Sequence, residues 1–282
     1  MKKFILLFIL SLFISQPSYA LTLSNFQTPE SFIVDPEDGS YYVSNINGGP
    51  LEKDGNGYIS KINPNGSIVI QKFIGGKEAV LNAPKGLVLS GKTLFVTDID
   101  VVKGFNKENG KLTVTVDFSS FSAKFLNDLT ADSQGVLYTS DMLTNRIFKI
   151  NPAKNYEISV YSNSPELGGP NGVLFNPKTK NLMVVTWTKG EILEIERSTG
   201  KVHVLKKGLN GLDGIDYDAS GNLYVSSFQK GEIYRIPLYG RGTITTYLGG
   251  LRTPADISYD RKRDELLIPS FEGNTVTTVR RK

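Results

Sequence analysis

Six short runs in which apolar and polar residues alternate recur along the chain, each answered after a turn by a second apolar run. They read PESFIVDPEDGSYYVSN from Pro29, PKGLVLSGKTLFVTD from Pro84, LNDLTADSQGVLYTSD from Leu126, PNGVLFNPKTKNLMVVTW from Pro170, LDGIDYDASGNLYVSSF from Leu212 and PADISYDRKRDELLIPSF from Pro254. From Pro84 onward the starts lie 42 or 44 residues apart. A two-residue alternation broken by turn residues predicts strands, not helices. Third strands follow in YISKI, RIFKI, EILEI and EIYRI, and fourth strands in SIVIQKF, KLTVTV, YEISVY, KVHVLK and TITTYL. Four short strands in a unit of about 40 to 50 residues predict the blade of a β-propeller. The expected fold is therefore all-β, a six-bladed propeller of four-stranded antiparallel blades.

The sixth unit ends after its third strand, while LTLSNF at 21–26 belongs to no unit. That segment is expected to supply the missing outer strand and close the ring, leaving only short, protected edges. The first step, from Pro29 to Pro84, is longer than the rest. Its surplus, NINGGPLEKDGNG at 45–57, has no apolar face and is expected to hang over one mouth of the channel as a lid.

The first 20 residues, MKKFILLFILSLFISQPSYA, combine a basic start, an apolar run and a small-X-small site at Ser18-Tyr19-Ala20. They read as a secretory signal too short to span a bilayer comfortably, so the expected organisation is a signal at 1–20 and one propeller domain at 21–282. Export to a periplasm or the extracellular space follows, with no membrane attachment after cleavage. Without cysteine, the fold relies on packing and strand pairing in place of disulfides. Losing Lys2 and Lys3 with the leader lowers the formal charge from +4 to +2. So weak a balance predicts no nucleic-acid surface, and Arg280-Arg281-Lys282 reads as a solvated tail.

Aligning the units on their opening pair places Glu30, Lys85, Asn127, Asn171, Asp213 and Ala255 in one column at the start of the innermost strands, facing the axis. Two carboxylates and two amides converging there are costly to bury unpaired. One divalent cation relieves that cost, and an all-oxygen set suits Ca²⁺, Mg²⁺, Mn²⁺ or Zn²⁺, with hard ions preferred. Two other readings stay open. Asn171-Gly172 and Asp213-Gly214 are common turn pairs, and Lys85 could neutralise Glu30 and Asp213 without a metal. Antiparallel pairing sets Asn45, Asp98, Asp141, Trp187, Phe228 and Phe271 around the column, an acidic and amide arc facing an aromatic one. Lys85, Asn127, Asp98, Asp141, Trp187, Phe228 and Phe271 are accordingly expected to line a substrate site.

The only histidine, His203, falls on an outer strand, which disfavours a Ser-His-Asp triad or a His pair as catalyst. The stretch EKDGNGYIS at 52–60 imitates part of an EF-hand loop. Its first position is Glu52 and its twelfth Asn63 in place of the bidentate Glu, so it reads as a polar loop.

The blade openings resemble those of the senescence-marker-protein/gluconolactonase family of six-bladed propellers. Glu30 in Pro29-Glu30-Ser31 matches the family's first-blade Glu, Asn127-Asp128 its N-D-G motif, Asn171-Gly172 its S-N-G motif and Asp213-Gly214 its D-G-x-x-x-D motif. The resemblance implies one bound divalent cation held by Glu30, Asn171 and Asp213, with Asn127 touching substrate or completing the shell. It also implies hydrolysis of a sugar lactone or related ester, with Asp213 and then Asp128 as candidates to orient or deprotonate water. The chain departs from the family where Phe125 replaces an Arg, Leu129 replaces a Gly, and Lys85 adds a cation. A small-molecule substrate and a monomeric protein are expected. The alternative is a non-catalytic propeller binding a ligand or protein on the same face. A carbon-oxygen lyase would need a histidine near the axis.

Overall fold

A computed structural model describes residues 18–281, so residues 1–17 of the expected signal lie outside the described residues. Six antiparallel four-stranded sheets stand around one axis, each ordered from inner to outer strand. Blade one comprises Pro29–Val34, Tyr41–Asn45, Tyr58–Ile62 and Val69–Gly75. The inner strands of the next four blades are Pro84–Ser90, Leu126–Ala131, Pro170–Phe175 and Leu212–Tyr217. In blade six regular pairing shortens the inner strand to Ser258–Asp260, although Pro254 still bridges Ser270. The outer strand of that blade is Ser18–Ser24, antiparallel to Thr275–Arg280, with Leu21 opposite Thr278 and Ser24 opposite Thr275. The orphan segment thus closes the ring as expected.

The apolar core lies between blades. Six clusters of buried side chains each join neighbouring blades; Phe32, Tyr41 and Val43 of blade one, for example, meet Leu267 and Val276 of blade six. Each such side chain contributes roughly 1.5–3 kcal/mol when fully buried. A lone blade would leave both faces in water, which is why closure of the ring and folding are one event.

The inner hairpins turn on a carboxylate or amide. One side-chain oxygen of Asp35, Asp132, Asn176, Asp218 and Asp260 accepts a hydrogen bond at 2.8–2.9 Å from the N–H two residues on. Such side-chain capping fixes tight turns locally. The second oxygen of three of them reaches the next blade: Asp35 pairs with Lys107 at 2.8 Å, Asp132 with Arg197 at 3.0 Å and Asp218 with Arg281 at 2.8 Å. The same residue therefore closes a hairpin and clasps two blades.

The long first-blade connection lies at the opposite end of the ring from these turns, against blade two. It is pinned by Asn47 N–H to Gln27 O at 3.1 Å, Gly55 N–H to Asn82 Oδ1 at 3.1 Å and an ion pair of Lys53 with Asp100 at 2.5 Å.

Candidate active site

In five blades the inner strand carries one residue more than its partner. Pairing passes from Pro29–Asn45 to Phe32–Val43, and likewise from Pro84–Asp98 to Leu87–Val96, Leu126–Asp141 to Leu129–Thr139, Pro170–Thr186 to Val173–Val184 and Leu212–Ser227 to Ile215–Val225. A bulge of this kind re-aims side chains. Here it frees two successive residues of each inner strand from regular pairing: Glu30-Ser31, Lys85-Gly86, Asn127-Asp128, Asn171-Gly172 and Asp213-Gly214. Ala255-Asp256 occupies the same place in blade six. Asn171-Gly172 and Asp213-Gly214 lie in strands, so they are not turn pairs. Their glycines admit the neighbouring blade: a Cβ on Gly172 would sit 2.3 Å from Asp213 O, and one on Gly214 would sit 2.2 Å from Ile257 N.

Hydroxyls on the second strands bind this ring together. Thr97 Oγ1 donates to Asn127 O, Ser140 Oγ to Asn171 O at 2.7 Å and Ser226 Oγ to Ala255 O at 2.7 Å, each reaching the next blade. Ser44 Oγ accepts from Ser31 N–H at 2.9 Å within blade one. The recurring Ser or Thr before the end of the second strand was a usable signal that sequence reasoning passed over.

All six column residues are buried, and Glu30 and Asp213 are only 5% and 6% exposed. Asp128 and Asp256 stand one residue further along. Burial raises the Glu30 carboxyl well above its ordinary range, and Asp213, Asp256 and Asp128 add repulsion. Asp213 and Asp128 are raised well above theirs by burial and by Asp256. Burial pushes Asp256 up to about 7. Asp256 escaped the sequence alignment because Ala255 filled its blade's place in the column. The register it shares with Asp128 could have revealed it.

Lys85 makes no ion pair with this group, although its charge offsets part of the rise at Glu30. Its Nζ donates to Ala83 O at 2.9 Å and lies 4.6 Å from the centre of the Phe125 ring. No ion pair of Lys85 occurs among the described residues, and burial lowers its pKa to about 8. Phe125 thus meets a cation contributed by blade two.

Glu30 Oε2, Asn127 Oδ1 and Asp213 Oδ1 are buried with no hydrogen-bond donor. Asn171 Nδ2 donates to Leu212 O at 3.2 Å, leaving its carbonyl oxygen for other duty. Three orphaned acceptors beside two carboxyls fit a hard cation. Among the described residues no three His, Cys, Asp or Glu are grouped to hold a metal, so the amide oxygens are indispensable to any such centre. Asp128 is more committed: its oxygens accept from Leu129 N–H at 2.6 Å and Val173 N–H at 2.7 Å, joining blades three and four.

The surrounding arc divides differently from expectation. Asp98 and Asp141 are wholly buried. Asp98 accepts from the N–H groups of Asn82 at 3.1 Å and Ala83 at 2.8 Å and pairs with Lys103 at 3.1 Å. Asp141 accepts from Lys124 and Phe125 N–H, both at 3.1 Å. Both brace the segment leading into an inner strand. Asn45 does the same, accepting from Gln27 N–H at 3.0 Å. The aromatic arc is continuous across blades four to six: Trp187 and Phe228 ring centres are 5.4 Å apart, and those of Phe228 and Phe271 5.5 Å. All three rings are half-buried. His203 pairs with Glu196 at 2.8 Å on the outer strand of blade four. In the 52–60 loop, Glu52 accepts from Gly49 N–H and Asp54 from Asn56, so these acids serve their own loop.

Residues 28–268 match the family described as the SMP-30/Gluconolactonase/LRE-like region. No curated protein matches the chain. Among solved structures, a luciferin-regenerating enzyme superposes with a TM-score of 0.71 at 16% identity, covering 94% of this chain and 96% of its own. A catalytically inactive virginiamycin B lyase from Staphylococcus aureus with quinupristin gives 0.66 at 16%, over 95% of this chain and 100% of its own. A nidogen/laminin complex gives 0.64 at 18%, over 78% and 79%. At these identities the likeness speaks for the fold alone, and such a fold serves unrelated functions.

Proposed function

Since the chain belongs to the SMP-30/gluconolactonase/LRE-like family, we propose that it is a divalent-metal-dependent hydrolase that opens a lactone or related ester in a small molecule. The observation that carries this reading is the set of orphaned oxygens on Glu30, Asn127 and Asp213 beside the carbonyl of Asn171. Glu30, Asn171 and Asp213 would hold the cation, Ca²⁺, Mg²⁺, Mn²⁺ or Zn²⁺, and Asn127 would complete its shell or touch substrate. When bound, the cation supplies Lewis acidity toward a carbonyl oxygen and acidifies water.

The chain's own groups divide the remaining work. Asp213 has a buried carboxyl oxygen with no hydrogen-bond donor, so it is the candidate to orient water or accept its proton. Asp128, held by two backbone N–H groups, is better suited to fixing Asn127 than to moving protons. Trp187, Phe228 and Phe271 offer a face for the apolar side of a ring. Lys85 and Phe125 take the place of the family's Arg on the opposite arc.

Export belongs to the same proposal. Cleavage after Ala20 falls at the register irregularity between Tyr19 and Leu21 and leaves Leu21–Ser24 paired with the last strand. The mature protein would act as a monomer in the periplasm or outside the cell, and N-terminal sequencing of the exported fraction tests this.

Metal analysis of protein 21–282, with a lactone screen under each cation, tests the activity. About one metal per chain and turnover lost in chelator are expected. Asp213→Ala should lose metal and turnover together while the ring stays folded. A variant that keeps its metal content refutes the ligand assignment.

A further inference from the structure

The inner strands run the length of the channel, and their far ends form a second mouth. A cavity of about 600 Å³ opens there, at the opposite end from the column and the long loop. Ile33, Val88 and Leu174 give it an apolar wall of partly exposed side chains, and Asp128 and Asp256 stand at its depth. Both oxygens of Asp128 are occupied by backbone N–H groups. The carboxylate of Asp256 has no backbone donor, although the residue is only 7% exposed. The Ser31 hydroxyl lies beside it as its one side-chain donor.

The charges around the cavity select the sign of a ligand. Glu30 and Asp213 lie beyond its inner end, and Lys85 is turned away toward Ala83 and Phe125. At the rim, Arg261 is answered by Asp216 and Arg263 by Asp260. The Asp256 carboxylate at the depth therefore has no cation against it, whereas at the rim Arg261 and Arg263 are paired and only the exposed Lys262 is not.

We propose that this mouth binds a small organic cation, a primary ammonium on a short apolar stem, with its head on Asp256 and its stem along Ile33, Val88 and Leu174. The four residue steps from Asp256 at the depth to Asp260 at the rim span about 13 Å of strand, room for a stem of about six carbons. A bare metal ion would leave the apolar wall unused. The site is independent of the hydrolase reading, because no part of it requires turnover or a metal.

The test is calorimetric titration of the full mature chain with hexylammonium at mildly alkaline pH, with hexanol and hexanoate as controls, in chelator and again with calcium. A charge-assisted hydrogen bond at the head should make hexylammonium bind at least about tenfold tighter than hexanol. Leu174→Trp, which fills the wall, should weaken it by about tenfold or more. Asp256→Asn should erase the preference over hexanol while leaving hexanol unchanged. No binding of hexylammonium, equal binding of hexanol, tighter binding of hexanoate, or indifference to both substitutions would overturn the proposal. A failed lactone screen would leave every one of these readouts intact.

Discussion

Replacing Asp256 by Asn should stabilise the metal-free protein at alkaline pH and do almost nothing at acid pH. Burial moves this carboxyl from its ordinary 3.8 up to about 7. At 1.36 kcal/mol per unit, that displacement corresponds to about 4 kcal/mol of unfavourable free energy once the group ionises in the folded chain. The residue is 7% exposed, so solvent screening removes little of it. Because the folded pKa lies above the unfolded one, the native state binds more protons between about pH 4 and 7, and stability falls as pH rises through that window. Asn has nearly the same shape and no charge, and its presence relieves Glu30, Asp128 and Asp213 as well. Urea unfolding in chelator should therefore show a gain of up to about 4 kcal/mol at pH 8, a midpoint shift of about 1–2 M, and near-equality only at about pH 3, below the ordinary carboxylate range. An equal effect at both pH values, or a loss of stability at pH 8, would refute the reasoning that an unanswered charge burdens the channel.

Lys107→Ala should cost about 3–5 kcal/mol, since it leaves Asp35 buried without its cation; an unfolding midpoint unchanged from wild type would show that the blade clasp is immaterial. Gly172→Ala drives a Cβ to within 2.3 Å of Asp213 O, so blades four and five must part. A loss of at least about 2 kcal/mol and weakened metal binding are expected, read by unfolding and metal titration. Protons compete for the raised carboxyls Glu30 and Asp213, so cation affinity should fall as the pH is lowered from the alkaline side to the ordinary carboxylate range, by up to about tenfold per unit. Flat affinity across that range would exclude both groups as ligands.

The ring of six blades, its closing strand and the column of Glu30, Asn127, Asn171 and Asp213 could all be read from the chain, because hairpin alternation and turn chemistry act over a few residues and repeat. Their period carries the topology with it. The directions of side chains past the bulge could not be read so, since they depend on the strand that arrives from the next blade. Asn171-Gly172 looks like a turn in one dimension; the approach of Asp213 O is what makes it a strand with a bare Cα. Lys85 aligns with the column, yet the nearby Ala83 carbonyl and Phe125 ring draw it aside. Asp98 and Asp141 lie beside the column in register, but unpaired N–H groups of the segments ahead of the inner strands claim their oxygens. The acidic depth at Asp256 and the cavity below it appear only when all six inner strands stand around one axis. Local patterns determined the blades, and contacts between blades decided which of their polar atoms stayed free.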